Sequence, residues 1–209
     1  MSATAPGWPA ELSDGPVRVR PLRLRDAPAW VDARKRNVDW LREWEATPPD
    51  SEANVPTSMS TFVVMTRRLR SEARAGRGLP FVIELDGAFA GQLNVAGVTR
   101  GSLHSASLGY WVDQRFAGRG VMPTAVALVT DHCFRAVGLH RIEVNIRPEN
   151  TASRRVVEKL GFREEGVRRA FLHIAGDWRD HNSYALVRDE VPLGLLTRWH
   201  RLQRSQQAT

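Results

Sequence analysis

The stretch Leu108-Gly109-Tyr110-Trp111-Val112-Asp113-Gln114-Arg115-Phe116-Ala117-Gly118-Arg119-Gly120-Val121-Met122 constrains this chain more than any other. An extended apolar run enters a turn carrying Arg115, Gly118 and Gly120, and the turn opens onto a long amphipathic segment, residues 121–137. A strand, a glycine turn and a helix start in that order leave unpaired backbone N–H groups at the first helical turn, backed by the positive end of the helix dipole. Such a place suits a phosphate or pyrophosphate. The glycines permit positive φ and close approach of the backbone. A plain turn before a helix shares this local pattern, so the surrounding segments decide between the two.

Those segments alternate in a definite order. After Gly138 stops the helix, Arg141-Ile142-Glu143-Val144-Asn145-Ile146 alternates strictly, with Ile142, Val144 and Ile146 on one face. Strand, helix and strand make a βαβ unit, so residues 105–113 and 141–146 should run parallel. Upstream, residues 79–85 and 88–98 flank Asp86-Gly87, a two-residue hairpin signal, which predicts an antiparallel meander into the 105–113 strand. Downstream, residues 148–153 turn into a helix with Val156, Val157 and Leu160 on its apolar face. A hairpin follows, 167–174 and 183–187 around Ala175-Gly176-Asp177.

The flanks read more simply. Residues 17–22 suggest a short strand. A helix to about Asn37 follows, with Asp26 as its cap and Pro28 in its first turn. Trp40 and Trp44 lie four apart and predict one shared helical face, either packed on the core or walling a cleft with Glu43 and Glu45 nearby. Residues 58–75 carry Phe62, Met65, Leu69 and Ala73 at helical spacing, stopped by Gly76-Arg77-Gly78. Residues 191–206 predict a last helix with Leu193, Leu196, Trp199 and His200.

Length supports one domain: a flexible tail at 1–15, the domain at 16–190, and a C-terminal helix with a basic tail at 191–209. No apolar run approaches the roughly 18 residues of a membrane span, and the first residues lack a secretory signal. The single cysteine, Cys133, excludes an intramolecular disulfide and fits a reducing cytoplasm. It falls on the stripe Met122, Ala125, Val129, Cys133 and Ala136, which makes it a buried core residue. The formal charge of +7 favours anionic partners, namely nucleotide cofactors, RNA or acidic peptides. Arg67, Arg68, Arg70 and Arg74 can equally serve to solvate a helix.

Arg115-x-x-Gly118-x-Gly120 between strand and helix, Asn150-x-x-Ser153, Lys159-Leu160-Gly161-Phe162, and Gly176-x-Trp178-Arg179-Asp180-His181 before Tyr184 occur in one order. In these motifs, over residues 16–190, the chain resembles the Gcn5-related N-acetyltransferases (GNAT), and among them the RimJ/RimL type that acetylates ribosomal-protein N-termini. The resemblance implies an α/β (α+β) fold with a mixed, mostly antiparallel sheet that splays at a parallel strand pair, flanked by helices. It also implies acetyl-CoA as cofactor, with no metal. The coenzyme would be bound by Trp111, Val112, Asp113, Arg115, Phe116, Ala117, Gly118, Arg119, Gly120, Val121, Met122, Asn150 and Ser153, its arm pairing with the edge of residues 110–113. A backbone N–H near Val112 would polarise the thioester, Ser153 would donate to the thiol, and Asn150 would hold the arm or a water. Asn150 and Thr151 can alternatively cap their helix. Glu143 is the expected base, with Asp180, His181 and Tyr184 in competition.

The acceptor cleft is expected between residues 37–60 and 170–184, with Trp40, Glu43, Trp44, Asp180 and Tyr184. The expected acceptor is a protein N-terminus, possibly ribosomal. A small amine (polyamine, amino sugar or antibiotic) and a ribosome- or RNA-associated binding role are the alternatives. The protein is expected in the cytoplasm, as monomer or homodimer and without membrane attachment.

Overall fold

The computed structural model describes residues 5–49 and 56–207. Residues 1–4 of the expected tail, 50–55 of the expected acceptor wall and 208–209 of the basic tail lie outside the described residues. The strands are β1 (Leu12–Asp14), β2 (Val17–Pro21), β3 (Gly78–Leu85), β4 (Ala88–Thr99), β5 (Ser105–Val112), β6 (Arg141–Ile146), β7 (Arg163–Ile174) and β8 (Asp177–Val187). The helices are α1 (Ala27–Arg36), α2 (Val38–Arg42), α3 (Met59–Arg74), α4 (Val121–His132), α5 (Thr151–Leu160) and α6 (Leu195–Gln207). None of the described helices is long and apolar enough to cross a membrane.

The eight strands form one sheet in the order β1-β2-β3-β4-β5-β6-β8-β7. Only β5 and β6 run parallel. The β3–β4 hairpin turns on Asp86 (φ 50°) and Gly87 (φ 79°), both in the left-handed region that a two-residue turn demands. Helices cover both faces. On one, α4 is buried from Val121 to Thr130 and packs with α5 and α6 over Val19, Phe81, Leu93, Leu108 and Ile142. On the other, α1 and α3 bury Trp30, Val31 and Phe62 against Val82, with Trp111 at the edge. Strand β3 is therefore buried on both faces along its whole length, which explains why it is apolar from Leu79 to Ile83.

Several expectations need correction. The segment expected as a frayed tail is ordered from residue 5 onward. β1 pairs with β2, Trp8 packs edge-on to Phe81 at 5.5 Å, and the Gly7 carbonyl accepts from His132 Nε2 at 2.7 Å. Helix α2 ends at Arg42, so Trp44 falls beyond it and the continuous tryptophan face does not form. Asp26 makes no side-chain capping bond to α1; it accepts from Arg20, and from the Arg23 N–H at the start of the short 3-10 turn of residues 24–26. α6 starts at Leu195 because Pro192 and Gly194 (φ 96°) hold a turn before it, leaving Leu193 exposed. Leu195 and Trp199 belong to the main core, and Trp199 Nε1 donates to Thr124 Oγ1 of α4 at 2.9 Å.

Arg20 is the buried electrostatic tie between the second strand and its neighbours. Its guanidinium donates to both Asp26 oxygens at 2.9 and 2.8 Å and to Glu84 at 2.8 Å, and all three side chains are buried. Removing one partner of such a group leaves uncompensated charge inside. Arg20→Ala should cost about 3–5 kcal/mol, measured as a lower urea midpoint with an unchanged slope. A loss within about 0.5 kcal/mol, the range of ordinary surface changes, would contradict a buried network.

Candidate active site

β5 and β6 pair at only three positions, Ser105↔Arg141, Ala106↔Ile142 and Ser107↔Glu143. Beyond them β5 runs on to Val112 along β4, while β6 runs on to Ile146 along β8. A gap therefore opens in the middle of the sheet. The Asp113 N–H donates to Ala90 of β4 at 2.8 Å. Alternation along the ladder turns the backbone groups of Trp111 and Asp113 toward β4 and those of Tyr110 and Val112 into the gap. Trp111 and Asp113, both expected to bind the coenzyme, thus have no backbone group free for it. The N–H of Val112 does face the gap.

At the open end of the gap lies the glycine loop. The N–H groups of Arg115, Phe116 and Ala117 are already used, by Asp113 Oδ1, Asp113 C=O and Gln114 C=O. Those of Gly118, Arg119, Gly120, Val121 and Met122 have no hydrogen-bond partner among the described residues. Five consecutive free amides precede or begin α4, with Gly118 and Gly120 at φ 77° and 76°. The free amides thus lie further along the chain than the expected site, at 118–122, because residues 114–116 form a tight turn of their own. Arg119 is exposed and has no ion pair among the described residues; its guanidinium lies 5.9 Å from the Phe116 ring centroid. These features together fit a pyrophosphate.

What fixes the loop was not foreseen. Asp113, 1% exposed, accepts from Arg115 at 2.8 Å and from Arg36 of α1 at 3.0 Å. Its neighbour Gln114 donates its N–H to Asn37 Oδ1 at 2.9 Å. Burial by itself would raise the Asp113 carboxyl, yet hydrogen bonds from the Arg115 side chain and backbone and from Arg36 outweigh it and hold the group far below the usual carboxylate range. Asp113 is a scaffold of the loop, its carboxylate committed to Arg36 and Arg115. Arg36 and Asn37 lie 77 residues away in sequence, and only their position at a helix end hinted at a role.

The other side of the gap is the start of α5. Asn150 Oδ1 accepts the Ser153 N–H at 3.0 Å, the capping bond. Tyr110 OH spans the gap to the Ser153 carbonyl at 3.3 Å, and burial pushes its phenol up. The Ser153 hydroxyl has no partner among the described residues. Cys133 is buried, its thiol pushed up to about 12, which makes it a core residue and no nucleophile.

The remaining expected residues divide. Glu143 is held by Arg141 at 2.8 Å and Arg168 at 2.9 Å, one arginine on each of its carboxylate oxygens. Tyr184 is not a cleft residue: it is 1% exposed on the α4 side, its hydroxyl donating to Glu164 at 2.9 Å and accepting from Arg154 at 3.2 Å. Asp180 accepts the Ala170 N–H at 2.7 Å, holding a bulge in β7. The segment after α2 does meet the closing hairpin: Thr47 N–H donates to the His173 carbonyl at 2.9 Å and Ala46 bridges Ile174. Arg147, just past β6, donates to the Glu43 carbonyl at 2.7 Å and lies over the Trp44 ring at 5.3 Å. Trp40 is half-buried and the Glu43 side chain is exposed.

A sheet parted beside a strand, with an amide-lined glycine loop at the helix that follows, is the architecture of an acyl-group transferase that holds a phosphorylated carrier in the gap. Comparison with known proteins agrees. Residues 17–163 match the family model for the acetyltransferase (GNAT) domain. A probable N-acetyltransferase of Bacillus subtilis is 32% identical over 82% of this chain and 93% of its own length. The ribosomal protein uS5 alanine N-acetyltransferase of Escherichia coli is 31% identical over 81% of this chain and 86% of its own. The structure of Mycobacterium smegmatis RimJ in complex with CoA-disulfide superposes with a TM-score of 0.91 at 43% identity, covering 96% of this chain and 98% of that one. The chain belongs to the GNAT acetyltransferases, and its activity is that of an N-acetyltransferase.

If Asp113 anchors the loop, Asp113→Asn should destabilise the protein by about 1.5–3 kcal/mol at neutral pH, the value of hydrogen bonds to a charged group. The folded-state pKa lies below the unfolded one, so the carboxylate's contribution is complete above about pH 4 and is lost as the pH falls further. Urea unfolding should show a constant gap between wild type and variant from about pH 5 to 8, narrowing at about pH 3. A gap that widens on acidification would refute the assignment.

Proposed function

We propose that this protein transfers the acetyl group of acetyl-CoA to the N-terminal α-amine of a ribosomal protein in the cytoplasm. The observation that carries the donor half is the run of five unpaired amides from Gly118 to Met122 at the end of a parted sheet. Acetyl-CoA, when bound, supplies an acyl group activated as a thioester. The amides of residues 118–122 and the Arg119 side chain hold its phosphates. The gap-facing groups of Tyr110 and Val112 would pair with its arm as an added strand would, and the Val112 N–H would be the donor to the negative charge developing on the carbonyl oxygen. The free Ser153 hydroxyl delivers a proton to the departing sulfur. Asn150 shapes this corner by capping α5, with its amide nitrogen left for the arm.

The acceptor half is supported by the relatives' substrates and by the opposite face of the sheet. There Trp44, Arg147, the exposed Glu43 and the hairpin end at His173 come together. The Trp44 ring and the exposed Glu43 carboxylate of this rim suit an α-ammonium on an extended peptide.

The direct test incubates the protein with acetyl-CoA and a synthetic peptide beginning with alanine, following thiol release. An N-terminally blocked peptide serves as control. Turnover of the free peptide alone is expected. Turnover of polyamines or aminoglycosides with none of the peptide would overturn the acceptor, and failure to bind acetyl-CoA would overturn the whole reading. In the same assay Arg119→Ala should weaken acetyl-CoA binding by about ten-fold or more, the loss of one charge-assisted bond, with the melting temperature unchanged. An unaltered dissociation constant would remove Arg119 from the phosphate site.

A further inference from the structure

We infer that His181 is the general base that deprotonates the acceptor amine. The inference rests on the acetyltransferase reading and deepens it. His181 is 3% exposed, and its Nδ1 lies 3.0 Å from the Arg179 carbonyl. A carbonyl can only accept, so Nδ1 carries the proton and Nε2 bears the lone pair. Nε2 has no hydrogen-bond partner among the described residues. A buried imidazole locked in one tautomer, with its basic nitrogen unused, is an arrangement that core packing alone does not require.

The strand register puts it on the relevant face. β6 and β8 pair up to Ile146↔Asn182, so His181 lies one residue beyond, level with the open end of the gap. Ser183 pairs with Asn145, and Glu143 with Ser107. Alternation therefore sets His181, Ser183, Asn145, Gly109 and Trp111 on one face. That is the face away from α4, onto which the segment around Trp44 folds, while the phosphate loop opens on the side of α4. Donor and acceptor would meet through the gap from opposite faces. Asn145 cannot accept a proton, and its Oδ1 is taken by Ser183 at 2.7 Å; Glu143 is held by two arginines.

The surroundings keep the ring neutral. Phe171 packs edge-on against it at 5.5 Å, and Arg168, its register partner on β7, lies over Phe171. Arg147 and Glu149 face it from beyond β6, and Arg179 and Asp180 flank it on its own strand. Burial, with Arg147 adding to it, lowers its pKa below the ordinary histidine value. At neutral pH Nε2 is thus available to take a proton from an α-ammonium, directly or through one water. The amine nitrogen then bonds to the acetyl carbon as the carbon–sulfur bond breaks. Sulfur leaves with the electron pair and takes up the Ser153 hydroxyl proton, which the amine's second proton replaces through water, and His181 passes the first proton to solvent.

The test compares wild type with His181→Asn, whose amide can still donate to the Arg179 carbonyl but offers no base, and with His181→Gln. Acetyl-CoA binding by calorimetry should be unchanged in both. kcat with an alanine-initiated peptide should fall about a hundred-fold or more, KM for acetyl-CoA should stay constant, and added imidazole should restore part of the rate to His181→Asn. Nitrogen NMR of the wild type, with the signals assigned to His181 through its neighbours in sequence, should show that ring neutral and protonated at Nδ1 at about pH 7, and kcat should decline below the ordinary histidine pKa. A His181→Asn enzyme with wild-type kcat, or a wild-type kcat flat down to about pH 5, overturns the role. A wild type that acetylates no amine defeats the underlying function instead, which separates the two failures. Should both variants misfold, the wild-type pH profile and the tautomer still decide.

Discussion

The early parting of β5 from β6 is the constraint from which the rest of this molecule follows. An unpaired edge inside a sheet is costly, because backbone groups there lose their ladder partners. The chain tolerates it by giving each strand a full partner on its other side: β4 lies along β5 to Val112 and β8 lies along β6 to Ile146. Tyr110 then spans the opening to the Ser153 carbonyl. Tyr110 thus ties the two sides of the gap together, and a ligand pairing with the gap-facing groups of Tyr110 and Val112 would recover hydrogen bonding that the fold leaves unmade.

The loop at the end of β5 extends the same logic. Its free amides exist only because neighbouring groups are tied elsewhere: Asp113 to Arg36 and Arg115, Gln114 to Asn37, and residues 116–117 within their own turn. Anchoring from α1 costs nothing at the anion site itself, since the charges are consumed behind the loop. The arginine-rich composition reads differently in this light. Arg20, Arg36, Arg141 and Arg168 are structural, each closing on a carboxylate, whereas Arg119 on the loop meets no carboxylate among the described residues. A count of positive residues overstates the charge offered to ligands.

Local features of this fold were legible because local rules fix them. The glycine loop, the Asp86-Gly87 hairpin and the alternation in residues 141–146 each depend on neighbours in sequence, and together they dictate the βαβ unit at the gap. The misreadings arose where distant contacts decide. Three residues of β1 carry too little pattern to be seen, yet pairing with β2 orders them. The Trp40–Trp44 spacing suggests a helix that ends at Arg42 because Arg147 and the β7–β8 hairpin draw the following segment away. Trp111 and Asp113 seemed available to the coenzyme until the ladder phase, set by Ala90, turned them toward β4.

Period-two alternation also separates the two candidates that lay three residues apart on the closing hairpin. Tyr184 and His181 fall on opposite faces of β8, so they cannot both serve one site. Tyr184 meets Glu164 and Arg154 on the side of α4 and is satisfied there. His181 faces the other way, with one nitrogen fixed and the other unused. A single-residue slip in the β6–β8 register would exchange them. The pairs from Arg141↔Val187 to Ile146↔Asn182 exclude that slip over the whole strand, because it would drive Ile142, Val144 and Ile146 out of the core. The apolar residues of β6 therefore determine which side chain of β8 looks toward the acceptor.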